Sequence, residues 1–287
     1  MSAAARPSFR TLLVLGRASN LPTVWSNCLC GWLLGGAGRE SNLLLLCLGA
    51  SLVYLGGMYL NDAFDADFDR QHRRERPIPA GAIPEASVWQ IGFTLLGAGG
   101  LVLACLGVAP AILTVLLLAA VLLYDAVHKA VAFSPVIMAA CRFLLFLLAA
   151  ATGEEGITGL VLWTALALAG WIVGLSYVAR RESIRGPMAF WPLVALALPV
   201  GLTLLVNNRE YRWNGVLMAV GLGVWAAFCL RHSFTGAHRN LGRTVSGLLA
   251  GIALVDLAAS PLDPAATLAL LSCFGLALLG QRYVPAT

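Results

Sequence analysis

The chain has 287 residues, 59% of them apolar and only 11% charged, with a net charge of +5 and a mean hydropathy of +0.82. A soluble domain carries about 25% charged residues, so this composition excludes the soluble classes and points to a polytopic membrane protein. The seven cysteines are scattered through apolar stretches, and Cys28-x-Cys30 has no second pair and no neighbouring histidine, so they read as small core residues rather than zinc ligands.

The first twenty residues are polar and basic, with no separate apolar region ahead of the first span, so no cleavable signal peptide is expected. Apolar runs follow near 21–37, 43–62, 88–107, 110–126, 134–151, 158–178, 189–206, 214–230, 243–259 and 266–281. Each approaches the ~20 residues that cross the hydrocarbon as a helix. The runs are continuous, not alternating, which favours helices over a barrel. The expected fold is an all-α transmembrane bundle in one domain over 1–287. Nine or ten spans are expected, because the fourth run is short and the last two fit a tilted hairpin. Glycine is frequent in the spans, which lets helices approach closely.

Charge placement sets the orientation. With the N-terminus inside, fifteen of the nineteen Lys and Arg residues fall on the inner face. Arg39, Arg209 and Arg212 fall outside, and Arg142 lies within a span. The positive charge therefore reads as topology, not as nucleic-acid binding. The short basic N-terminus predicts an integral protein of a bacterial inner membrane with its N-terminus cytoplasmic.

The most informative segment follows the second run. Asn61-Asp62-Ala63-Phe64-Asp65-Ala66-Asp67-Phe68-Asp69 places four carboxylates and an amide at the mouth of an apolar helix, where acids are costly. On a continuing helix Asp62, Asp65 and Asp69 share one face. Oxygen donors on one stripe suit magnesium, which takes one or two carboxylates and completes its shell with phosphate oxygens and water. Next come Arg70-Gln71-His72-Arg73-Arg74-Glu75-Arg76 and the rigid turn Pro77-Ile78-Pro79-Ala80-Gly81-Ala82-Ile83-Pro84. Acids followed by arginines would grip a phosphate from two sides. Farther on, Asp125 is expected to pair with a neighbouring base. Arg142 and Asp256 are charges within spans. Asn20, Trp25 and Asn27 are candidates to line a cavity. None of the four histidines is assigned acid–base work.

These residues resemble the UbiA superfamily of intramembrane prenyltransferases, most closely its EboC-like branch. Asn61-Asp62-x-x-Asp65-x-x-x-Asp69 matches the motif NDxxDxxxD, and Arg76-Pro77-Ile78-Pro79-Ala80-Gly81 matches the RP-(I/L)-P-x-G stretch. Tyr124 and Lys129 echo a YxxxK pair with one extra residue between them. The resemblance implies about nine helices around a cavity and a prenyl diphosphate bound through magnesium. It also implies transfer of the prenyl group to an aromatic or other lipophilic acceptor drawn from the membrane lipid phase. Carried over by position, Asn61, Asp62, Asp65 and Asp69 form the metal site, with the three aspartates and Lys129 as catalytic groups. Arg74, Arg76, Lys129 and Tyr124 would contact the substrate. The family's second motif, DxxxD, is absent: its place reads Ser176-Tyr177-Val178-Ala179-Arg180-Arg181-Glu182. Either Arg180 and Arg181 neutralise the diphosphate in place of a second metal, or binding survives without ionisation. The second case would make the chain a non-catalytic carrier for an isoprenoid or other hydrophobic anion.

Overall fold

Helices are the only regular elements among the described residues, 7–180, 191–206, 212–234, 240–260 and 263–286 of a computed structural model. In chain order they are α1 (Phe9–Leu15), a 3-10 turn (Ala18–Asn20), α2 (Leu21–Leu34), α3 (Glu40–Phe64), α4 (Ala66–His72), α5 (Glu85–Ala104), α6 (Val108–Val127) and α7 (Ser134–Ala151). Then follow α8 (Gly159–Arg180), α9 (Trp191–Val206), α10 (Arg212–Phe234), α11 (Leu241–Ala250), α12 (Ile252–Ala259) and α13 (Pro264–Gly280). Local chemistry marks several starts. The Ser8 hydroxyl caps α1 at Thr11 N–H, and Asp263 caps α13 at Ala266 N–H with Pro264 in the first turn.

Each expected apolar run contains a helix, but the count of crossings is a different matter. Among the described residues six segments are long and apolar enough to cross a membrane: α3, α5, α6, α7, α8 and the joined α11–α12. α9, α10 and α13 contribute shorter apolar stretches. At 14 residues, α2 is ~21 Å long, less than the hydrocarbon thickness. The ninth run is one span broken at Gly251. Two indoles occupy carbonyls at the break, Trp171 Nε1 donating to Leu248 O and Trp225 Nε1 to Gly247 O, both at 3.0 Å.

The interior is built around fully buried Trp171, Phe146 and Leu168 on one side and Leu46, Leu60 and Leu103 on the other. Leu44, Leu101, Val108, Ile112 and Val115 face outward, as lipid-facing residues should. Glycines set the closest helix contacts. Gly49 and Gly56 of α3 meet Gly99 and Gly92 of α5, in antiparallel order. A Cβ at Gly99 would lie 2.7 Å from both Gly49 O and Val53 N. Gly31 and Gly35 of α2 sit in the same way against α7, where a Cβ at Gly35 would be 2.3 Å from Ala150 O. α3 is thereby pressed on α5, and α2 on α7, which fixes the helices that carry the polar residues described next.

Candidate functional site

The acid stripe survives a small break in its helix. Asp65 separates α3 from α4 at φ −82°, ψ −6°. Asp65 N–H still donates to Asn61 O and Asp69 N–H to Asp65 O, at 3.0 and 2.9 Å, so the helical bonding runs through. Asp62 and Asp69 are buried and Asp65 is mostly so, whereas the side chain of Asp67 is 95% exposed. The face expected from the spacing is the face that turns inward.

Four bases close on it. Oδ1 of Asp62 accepts from Arg17 Nη2 at 3.2 Å and from Arg76 Nη1 at 2.9 Å. Oδ1 of Asp65 meets Lys129 Nζ at 2.8 Å and His128 Nε2 at 3.3 Å. Burial raises the Asp65 carboxyl, and the bonds from His128 and Lys129 outweigh it, holding the group below the usual carboxylate range. Burial pushes Asp69 up; nearby Arg76 and Lys129 only partly oppose this. Lys129 also lies 3.7 Å above the Phe68 ring. Asn61 accepts from Arg17 at 3.2 Å and donates through Nδ2 to Asp125 Oδ1 at 3.1 Å. The partner of Asp125 is therefore this amide, not the base expected from sequence, although the carbonyl of Asp125 lies beside His128 Nδ1.

Arg17 escaped the sequence reading, which counted it only as a topology charge. Its backbone is left-handed, φ 43°, ψ 47°, a conformation that costs an L side chain about 1–2 kcal/mol. Tyr54 Oη donates to its carbonyl at 3.4 Å. The turn between α1 and α2 is what aims its guanidinium at α3, and charge counting carries no signal for that. His128 was also passed over; it stacks on Tyr124 with ring centroids 5.0 Å apart.

Other candidates fall elsewhere. Arg74 is exposed and its Nε donates to Arg70 O, away from the acids. Arg180 gives Nη1 to Val131 O and Ala132 O, at 3.1 and 2.7 Å, at the foot of α7. Arg181 and Glu182 lie outside the described residues. Trp25 bonds Ser51.

The donor set suits magnesium. No ion pair or hydrogen bond reaches Oδ2 of Asp62 or Asp65 among the described residues. Asn61 adds a neutral oxygen, and Asp69 makes no ion pair there. Among the described residues no group of three or more His, Cys, Asp or Glu is placed to hold a metal ion by itself. Magnesium takes only one or two protein carboxylates and completes its shell with phosphate oxygens and water.

Beside the acids opens a cavity of about 320 Å³, mostly apolar. It is lined by Arg17 and His128, by Tyr54 and Tyr124, and by apolar residues such as Met138 and Ile252. Asn20 also lines it and donates to Ala286 O at 3.0 Å, which ties the end of the described chain to the cavity wall.

A helical bundle with apolar spans, an acid-and-base cluster at a helix mouth and a largely apolar cavity alongside defines an integral membrane protein with a charged site against a lipophilic one. The model of the UbiA prenyltransferase family matches residues 21–240. This chain belongs to that family. It is 31% identical over 84 residues to digeranylgeranylglyceryl phosphate synthase of Metallosphaera sedula, covering 29% of this chain and 30% of that protein. The enzyme of that name from Methanothrix thermoacetophila is 34% identical over 106 residues, covering 34% and 40%. The chain thus spans about a third of the length of these relatives. They are archaeal and offer no support for the expected bacterial membrane. Among solved structures, a UbiA homolog from Archaeoglobus fulgidus bound to GPP and Mg2+ gives a TM-score of 0.64 at 15% identity, over 95% of this chain and 97% of that one. A digeranylgeranylglyceryl phosphate synthase gives 0.59 at 18%, over 94% and 98%. At these identities the likeness is one of fold.

Proposed function

We propose that this protein is a single-domain membrane prenyltransferase of nine or ten crossings, N-terminus inside. It moves a prenyl group from an isoprenoid diphosphate to a lipophilic acceptor with magnesium. The observation that carries the reading is the pairing of Asp62 and Asp65. Each carboxylate engages bases through Oδ1 and keeps Oδ2 for another partner, and one base of each, Arg17 and His128, lines an apolar cavity. Asn61, Asp62, Asp65 and Asp69 would hold magnesium, which supplies Lewis-acid neutralisation of the leaving diphosphate. Arg17, Arg76 and Lys129 take up the negative charge that develops on that group as the C–O bond breaks. The apolar walls keep water from the allylic cation until the acceptor captures it. The GPP and Mg2+ held by the structural neighbour from Archaeoglobus fulgidus support this class of substrate.

A carrier reading has one observation in its favour. Arg180 stands where the family's second acidic motif is expected, with Nη1 committed to loop carbonyls. The deciding experiment is diphosphate release by purified protein in lipid from geranyl, farnesyl and geranylgeranyl diphosphate, with and without magnesium and with the native membrane-lipid extract as acceptor source. Magnesium-dependent release lost in both Asp62→Ala and Asp65→Ala is the expected result. Full turnover in those variants would overturn the assignment, and tight binding without release would favour the carrier.

A further inference from the structure

Arg142 is the ninth of the eighteen residues of α7, at the middle of a membrane span, where a guanidinium is costly without a partner. All of its direct partners are neutral. Nη1 donates to Thr23 O at 3.0 Å and to Asn27 Oδ1 at 2.8 Å; Nη2 donates to Thr23 Oγ1 at 3.0 Å. A guanidinium has five N–H donors. Three are spent, which leaves Nε–H and one Nη2–H, the side-on fork that matches an oxyanion. No carboxylate forms an ion pair with it among the described residues.

The group is held in place from behind. Asp256 Oδ2 accepts from Ser26 Oγ at 2.6 Å and from Asn27 Nδ2 at 2.7 Å. The second bond turns the Asn27 amide so that its oxygen faces Arg142. The Tyr54 ring lies 5.8 Å from the guanidinium carbon. A residue needed only to tie α7 to α2 could be neutral; this one brings a full charge to a cavity wall. The balance around that cavity is cationic. Arg17 is answered by Asp62, which leaves Arg142 and Arg180 against Asp125, the single lining carboxylate among the described residues. A cation in a low-dielectric cavity is stabilised by an anion brought to it.

We propose that Arg142 is a second anion site of the cavity. It receives the oxyanion head, a carboxylate or phosphate monoester, of the lipophilic acceptor. The inference rests on the prenyl-transfer reading, and it concerns a group other than the diphosphate. Donor and acceptor would share one cavity, the diphosphate at Arg17 and Arg76 and the acceptor's charge at Arg142.

The test is calorimetric titration of the purified full-length protein in uncharged detergent. Ligands are decyl phosphate, decanoate and decanol, with geranyl diphosphate plus magnesium titrated into the same samples. Wild type is expected to bind at least one of the two anionic amphiphiles at least tenfold more tightly than decanol. Their ranking identifies the oxyanion. Saturating inorganic diphosphate with magnesium should leave that binding in place. Arg142→Gln should weaken the anionic probe at least tenfold and leave decanol unchanged, with Arg142→Lys between, since it keeps the charge without the fork. Equal affinity in wild type and Arg142→Gln, or displacement of the probe by inorganic diphosphate, would overturn the proposal. If Arg142→Gln does not fold, the Lys variant and the displacement arm decide. Geranyl diphosphate reports separately: if it fails to bind while the decyl probe still depends on Arg142, the transferase reading falls and the anion site stands.

Discussion

One oxygen, Oδ1 of Asp62, accepts from two guanidiniums that reach it from distant parts of the chain. Arg74 and Arg76 were both expected to contact the substrate, Arg76 from within the matched motif; in the structure Arg74 is exposed and bonds Arg70 O, while Arg76 is set on Asp62. Charge-assisted bonds of this kind are worth about 1.5–3 kcal/mol. Arg76→Ala should therefore weaken geranyl diphosphate at least ~10-fold, with Lys restoring part of the loss. Arg74→Ala should leave the affinity within about twofold of wild type, less than ~0.5 kcal/mol. Equal losses in a calorimetric titration would remove the distinction. Lys129 makes a separate case. Its bond helps to hold the Asp65 carboxyl below its usual value of 3.8, so the pair adds stability above that pH and loses it as pH falls through the folded value. Lys129→Met should lower Tm by ~2 °C at neutral pH, and the difference should shrink in acid. A gap that widens in acid would mean that Lys129 does not stabilise the fold through the ionised Asp65 carboxylate. The acids and Arg76 were legible because their spacing is local. Arg17 was not, because a left-handed backbone turn brings it to α3 across 45 residues.

Helix positions were the most legible part of the fold, since an apolar run is a property of contiguous residues. What hydropathy could not supply was the partner of each glycine, or the break at Gly251 that divides the ninth run. Partner choice is a long-range matter, visible only when α5 lies against α3. Its energetic weight can be checked within a single helix. Gly99→Ala places a methyl group against backbone atoms that cannot rotate away, and should destabilise by about 2 kcal/mol or more. Gly97→Ala, two residues along, meets nothing within 4 Å and should leave Tm unchanged or slightly higher. Thermal melts in detergent compare the two directly; similar losses would mean that the close approach is unimportant.

For the molecule as a whole, the orientation proposed from charge placement puts Cys105 outside and Arg73 inside. Cys105 is exposed at the end of α5. In a background lacking the other cysteines, a membrane-impermeant maleimide should label Cys105 in intact cells. Arg73→Cys, with Cys105 removed, should label only after lysis. The reverse pattern would invert the topology. The polar groups that face the cavity come from the turn between α1 and α2 and from α3, α6, α7 and α8, so no single span contains the site. This explains why Arg142 and Asp256, read alone, carried no partner in the sequence.

Asp62 hangs from α3, and Arg76 hangs from the segment that leads into α5. Each end of their bond is tied to one rail of the same glycine-packed pair. A slip of one helical turn would shift the rails by ~5.4 Å, more than the 2.9 Å that joins guanidinium to carboxylate. The glycines therefore act as a gauge. Gly49, thirteen residues and ~20 Å up the helix from Asp62, helps to set the spacing of two charges at the membrane surface. A methyl group added there would register as separated charges before it registered as an unfolded bundle.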